Sequence, residues 1–277
     1  MTFATHYSAG GRRINTAKQL SPAARLLVAL LIFAGVGLAS AENQTNALAQ
    51  AAARAESIFL TERQTFPGNL TNNGPAWHYA RACFDWAEFA TNDTQRAEIA
   101  RLGIKASRDL IARNPRPVQG HYYLGMNLGQ LARTKSLGAL PLVDQMEVEF
   151  IAAQKADESF DFAGPDRNLG LLYLEAPSIG SVGSRSKART HLERAARMAP
   201  NFPENRLNLA DARLRWRDTE GAQRELDALE AGLAQARGKL GGEEWSAAWV
   251  DWEKRRVKLQ TQLQAKIKPT TSPKGTP

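Results

Sequence analysis

Ala188, Leu192 and Ala195 recur 34 positions later as Ala222, Leu226 and Leu229. At 3.6 residues per turn each trio lies on one face of a helix, and its small members let a neighbouring helix approach closely. Pro200 follows five residues after Ala195, where proline ends a helix and opens a turn that it could not join from inside. The same helix face is laid down twice at one period, which is the mark of a stacked repeat. Such arrays recruit partners through an extended surface and seldom carry out chemistry, so the pattern favours a binding scaffold over an enzyme.

Alanine, a large residue, alanine and proline at offsets 0, 4, 7 and 12 form the second half of a unit. The first half is an aromatic residue, then Leu-Gly, then another large residue. His121, Leu124-Gly125 and Leu128 fit it, as do Leu169-Gly170 and Tyr173. In these positions the chain resembles the tetratricopeptide-repeat (TPR) family over roughly residues 75–230. Trp77, Ala80 and Phe84, and later residues 207–217, make first helices without the glycine. Leu124 and Leu169 are 45 apart, so the centre carries insertions. The expected fold is all-α: an irregular TPR-like α-solenoid of helical hairpins with a capping C-terminal helix.

Arg12, Arg13, Lys18 and Arg25 precede the apolar run 26–38, and Ala39-Ser40-Ala41 follows it. This reads as a secretory signal peptide, residues 1–41, cut after Ala41. The expected location is the periplasm, and the alternative is an inner-membrane anchor formed by an uncleaved signal. The leader holds four basic residues and no acidic one, which leaves 32 of the 36 Lys and Arg against 28 Asp and Glu. Half of the +8 net charge therefore belongs to the leader, and nucleic acid is not an expected partner. No cysteine follows the apolar run to carry a bacterial lipid anchor. Cys83 is the one cysteine; it excludes an intrachain disulfide and reads as a buried small residue.

The repeat domain is expected over residues 42–267, with helices at 43–62, 75–90, 94–113, 118–133, 142–157, 166–175, 186–198, 204–217, 219–236 and 243–267. Asn92 or Asp93 is the expected cap of the third. Residues 268–277 hold three prolines and no apolar anchor, and are expected to be disordered. The stretch Gly-Pro-Asp-Arg-Asn-Leu-Gly-Leu-Leu-Tyr-Leu-Glu-Ala-Pro at 164–177, with the motifs at 121–125 and 199–205, resembles the T component of TRAP-type solute transporters. That resemblance implies a periplasmic repeat protein that associates with a solute-binding protein. The chain departs from the family in lacking a lipid-bearing cysteine.

No catalytic residues, metal site or cofactor are expected. His78, His121 and His191 are dispersed, Gly180-Ser181-Val182-Gly183-Ser184 lacks the ending of a phosphate-binding loop, and Glu147 and Glu149 fall on different helix faces. Arg167 lies in the first turn of a helix, where a cation opposes the helix dipole. It either meets a ligand or partner carboxylate or pairs with Asp161 or Asp166. Tyr122, Tyr123, Met126 and Asn127 are candidates for a concave groove that takes a protein partner or an apolar small ligand, with Arg167 and Asn168 beside them; packing between repeats is their other use. Trp245, Trp249 and Trp252 share a stripe with Leu259 and Leu263. They seal the last repeat or dock another chain.

Overall fold

The computed structural model describes residues 38–66, 73–114, 117–135 and 138–267. Most of the expected leader and the whole of the expected disordered tail lie outside the described residues. Among those described there are ten α-helices and no strand: α1 (Leu38–Thr65), α2 (Asn73–Ala87), α3 (Asp93–Arg113), α4 (Val118–Arg133), α5 (Leu140–Ala156), α6 (Phe160–Glu175), α7 (Arg185–Met198), α8 (Pro203–Arg215), α9 (Thr219–Lys239) and α10 (Ser246–Ile267). α1 runs through Ala41 without a break.

Local chemistry accounts for the boundaries. The Asn92 side chain accepts from the Gln95 N–H at 2.9 Å to cap α3, Ser184 caps α7 through Lys187, and the Asp218 carboxylate caps α9 through Gly221 at 2.9 Å. Each satisfies an N–H that the helix itself leaves unpaired. The expected single helix over 243–267 is divided. Glu243–Trp245 form one 3-10 turn before α10, and the Trp249 indole fastens the corner by donating to the Leu240 carbonyl at 2.6 Å.

Successive helices pack as hairpins, α2 with α3, α4 with α5, α6 with α7 and α8 with α9. Along the array α2 neighbours α4 and α6 neighbours α8, and α10 lies against α8 and α9 where a further first helix would stand. α1 packs on α2 and also reaches α10. The 34-residue echo sits where its periodicity requires. Ala188, Leu192 and Ala195 of α7 and Ala222, Leu226 and Leu229 of α9 are all buried.

The Leu-Gly positions explain the tightness of the stack. A Cβ on Gly170 would stand 2.6 Å from Leu192 Cγ and 3.0 Å from the Leu192 backbone nitrogen, and one on Gly125 would stand 2.6 Å from the Phe150 ring. Hairpin partners touch at these glycines. Gly170→Ala is therefore expected to lower stability by about 1–3 kcal/mol through overpacking, measured as a lower urea midpoint with an unchanged slope. Gly238→Ala, with open space around it, is the control expected to hold or raise the midpoint.

Candidate functional site

α6 begins abnormally. Asp161, Phe162 and Ala163 have φ of 52, 56 and 61°, a left-handed turn built without glycine. Each such residue costs about 1–2 kcal/mol, and strain of this kind persists only where its surroundings over-determine it. From Gly164 on the backbone is right-handed, so the regular helix starts two residues before the expected Asp166 and includes Pro165 in its first turn. The turn also divides the core. Phe160 enters the cluster built on α1 to α7, whereas Phe162 packs on the cluster of α8 to α10.

Arg167 holds this turn in place. Its Nη2 donates to Asp161 Oδ2 at 2.6 Å and to the Tyr122 hydroxyl oxygen at 3.2 Å. Its Nη1 donates to the carbonyls of Asp161 and Phe162 at 3.0 and 3.3 Å. The Tyr122 hydroxyl in turn donates to Asp161 Oδ2 at 2.5 Å and accepts from the Asn168 amide at 3.0 Å. Asn205 of α8 donates to the Phe162 carbonyl at 2.9 Å and to the Ala195 carbonyl at 3.1 Å. Burial opposes the charge on Arg167, but Tyr122, Asp161 and Glu204 outweigh it and raise its pKa. Burial first, then the Asp161 carboxylate, pushes the Tyr122 hydroxyl well above its ordinary value. Tyrosine stays a neutral donor and arginine a cation throughout the physiological range.

Arg167 is 0 % exposed, so of its two expected uses the structure displays pairing with Asp161. Its guanidinium meets no solvent-facing groove, and the dipole that opposes a first-turn cation is answered by a carboxylate and two carbonyls. Tyr122, Tyr123, Met126 and Asn127 are likewise buried. Tyr123 stacks on Trp77 with centroids 6.1 Å apart, and Asn127 ties α4 to α2 by donating to the Ala80 carbonyl at 2.9 Å. These side chains pack repeat against repeat, because α4 has neighbours on every side.

The tryptophan stripe joins the same construction. Phe162 stacks on Phe202 at 4.5 Å and 3°, the Arg167 guanidinium lies 5.1 Å from the Phe202 ring centroid, and Phe202 meets Trp245 and Trp252 edge-on. Trp245 and Trp252 are buried, and the half-buried Trp249 carries Arg237 over its ring at 4.2 Å. The stripe thus closes the last hairpin. Asp161 was legible only as one possible partner for Arg167 and Phe202 only as part of the motif at 199–205, while Phe162 carried no signal of its own.

His121 pairs with Glu149 at 2.7 Å and His191 with the buried Asp166 at 2.8 Å, each within a hairpin. Glu147 accepts from the Tyr173 hydroxyl at 2.7 Å and pairs with Lys187. Among the described residues no group of His, Cys, Asp and Glu could hold a metal ion, and no helix is long and apolar enough to cross a membrane.

Among solved structures the chain is similar to a thermophilic TPR protein of Thermus thermophilus, with a TM-score of 0.52 and 18 % identity over 79 % of this chain and 99 % of that one. The fold is a TPR-like α-solenoid. No family profile matches the sequence, and no curated protein matches it.

Asp161→Ala is expected to cost about 3–5 kcal/mol, because it strands a buried guanidinium. Tyr122→Phe is expected to cost about 1–2 kcal/mol for the lost hydroxyl; chemical denaturation measures both. Burial also pushes the Cys83 thiol from 9.0 up to about 12. The folded thiol stays neutral while the unfolded one ionises, so its stabilisation is full below pH 9.0 and disappears as the pH rises to about 12. Native protein at about pH 8, below the thiol's ordinary value, is expected to resist a thiol reagent that reacts at once in denaturant. Cys83→Ala is expected to flatten the alkaline fall in stability.

Proposed function

We propose that the chain is an exported, non-catalytic helical-repeat scaffold that serves as the periplasmic T-type partner of a TRAP-family solute-binding protein. The observation that carries this reading is a coincidence of position. Residues 164–177, which resemble the T component, begin at the joint where the Arg167 clamp holds two cores together. A segment that shapes the whole array is where a family resemblance has structural weight.

With α4 buried on nearly every side, the partner meets the outer helix surfaces and rims of the solenoid. An extended rigid surface suits recognition of a folded protein. The four basic residues before residues 26–38 support export, and the apolar run is short for a membrane span of ~20 residues.

The missing lipid-bearing cysteine favours one alternative: a general cell-envelope assembly protein of TPR type with no transport role. Affinity capture from periplasmic extract, read by mass spectrometry, separates the two. Enrichment of a solute-binding protein is expected. Recovery of envelope-assembly proteins without any solute receptor would reject the transporter role in favour of the alternative. The recovered chain is expected to begin at Glu42 on N-terminal sequencing; a membrane-bound chain with its leader intact would instead establish the anchor.

A further inference from the structure

The first and last parts of the array meet along a seam. α1 crosses from α2 to the start of α10, and a cavity of about 210 Å³ lies between the three. Ala55 and Ile58 of α1 and Phe89, just beyond α2, give it an apolar wall. Ile58 is left 45 % exposed there, so apolar surface remains for a ligand to cover.

The polar lining includes Arg54, Asp85, Glu243 and Glu244, so anions outnumber cations. Asp85 is engaged by Arg81 at 3.4 Å. Glu243 and Glu244 have no ion-pair partner among the described residues, and they open the 3-10 turn that leads into α10. Their seat is built. A Cβ on Gly242 would stand 2.2 Å from Glu244 Oε1, so bare backbone makes room for that carboxylate, and the Trp249 indole bonded to Leu240 fixes the corner.

We propose that the seam cavity binds a small organic cation, an amine or guanidinium on a compact apolar body. Glu243 and Glu244 receive the charged head, Ile58 and Phe89 receive the body, and the aromatic face adds attraction for the cation. Arg54 opposes the ligand's charge. The inference rests on the fold and not on the transporter role. Two sources share this chemistry: a free metabolite, or a lysine or arginine side chain presented by a protein partner.

Calorimetric titration of the full chain with benzylamine and butylguanidine, with a capped Gly-Arg-Gly peptide and with benzoate tests it. Both free cations are expected to bind and benzoate is not. Glu243→Gln and Glu244→Gln are each expected to weaken binding about fivefold, the upper range for a solvent-accessible ion pair, and Arg54→Ala is expected to tighten it. Binding of the peptide as well identifies a partner side chain as the source, and binding of the free cations alone identifies a metabolite. The proposal is overturned if neither cation binds at millimolar concentration, if the glutamate variants keep full affinity, or if benzoate binds through Arg54. Circular dichroism confirms that the variants fold, and partner capture is a separate readout that none of these outcomes decides.

Discussion

Everything on either side of residue 161 depends on one buried ion pair. Arg167 and Asp161 are 1 and 2 % exposed at their side chains, and a guanidinium removed from water is tolerated only when its donors are nearly all engaged. Here they are engaged by a carboxylate, two carbonyls, a tyrosine hydroxyl and an asparagine. The pair is thereby tied to a backbone that would not otherwise adopt its conformation. The left-handed turn sends Phe160 and Phe162 into different cores, so one electrostatic contact decides how the front hairpins meet the rear ones. Replacing the pair with apolar residues of equal volume would remove the desolvation cost and, with it, the reason for the turn.

The clamp also explains why the tryptophan helix belongs to the fold. Phe162 stacks on Phe202, and Phe202 receives Trp245 and Trp252. From Tyr122 on α4 to Trp252 on α10, polar and aromatic contacts run through four first-helix positions without passing through a second helix. The spine is one of alternating chemistry: hydrogen bonds fix direction at the joint, and ring packing carries that direction to the end of the array.

Much of this was legible in the residues. Asn92 and the small faces around Ala188 and Ala222 mark a helix start and buried sides through local rules that need no tertiary knowledge. Arg167 was conspicuous because a cation in a first turn needs an explanation. The left-handed turn was not legible, since Asp161, Phe162 and Ala163 have no local preference for it; its cause lies in Tyr122 and Asn205, far away in sequence. The groove expected at Tyr122, Tyr123, Met126 and Asn127 illustrates a second limit of local rules. Helix periodicity identifies a face, but it does not count how many neighbours a helix will have. Glu243 and Glu244 escaped notice for a related reason, because their significance arises only when α1 returns to them.

The return of α1 to α10 changes how the molecule should lose its structure. A linear stack of repeats frays from its free ends, because each terminal unit has a neighbour on one side only. Among the described residues the first helix touches the last, so the outer hairpins are buttressed from both directions. Partial unfolding from an end must first break the seam. Amide exchange in α1 and α10 should therefore rise and fall together, as one cooperative unit formed by the first and last described helices.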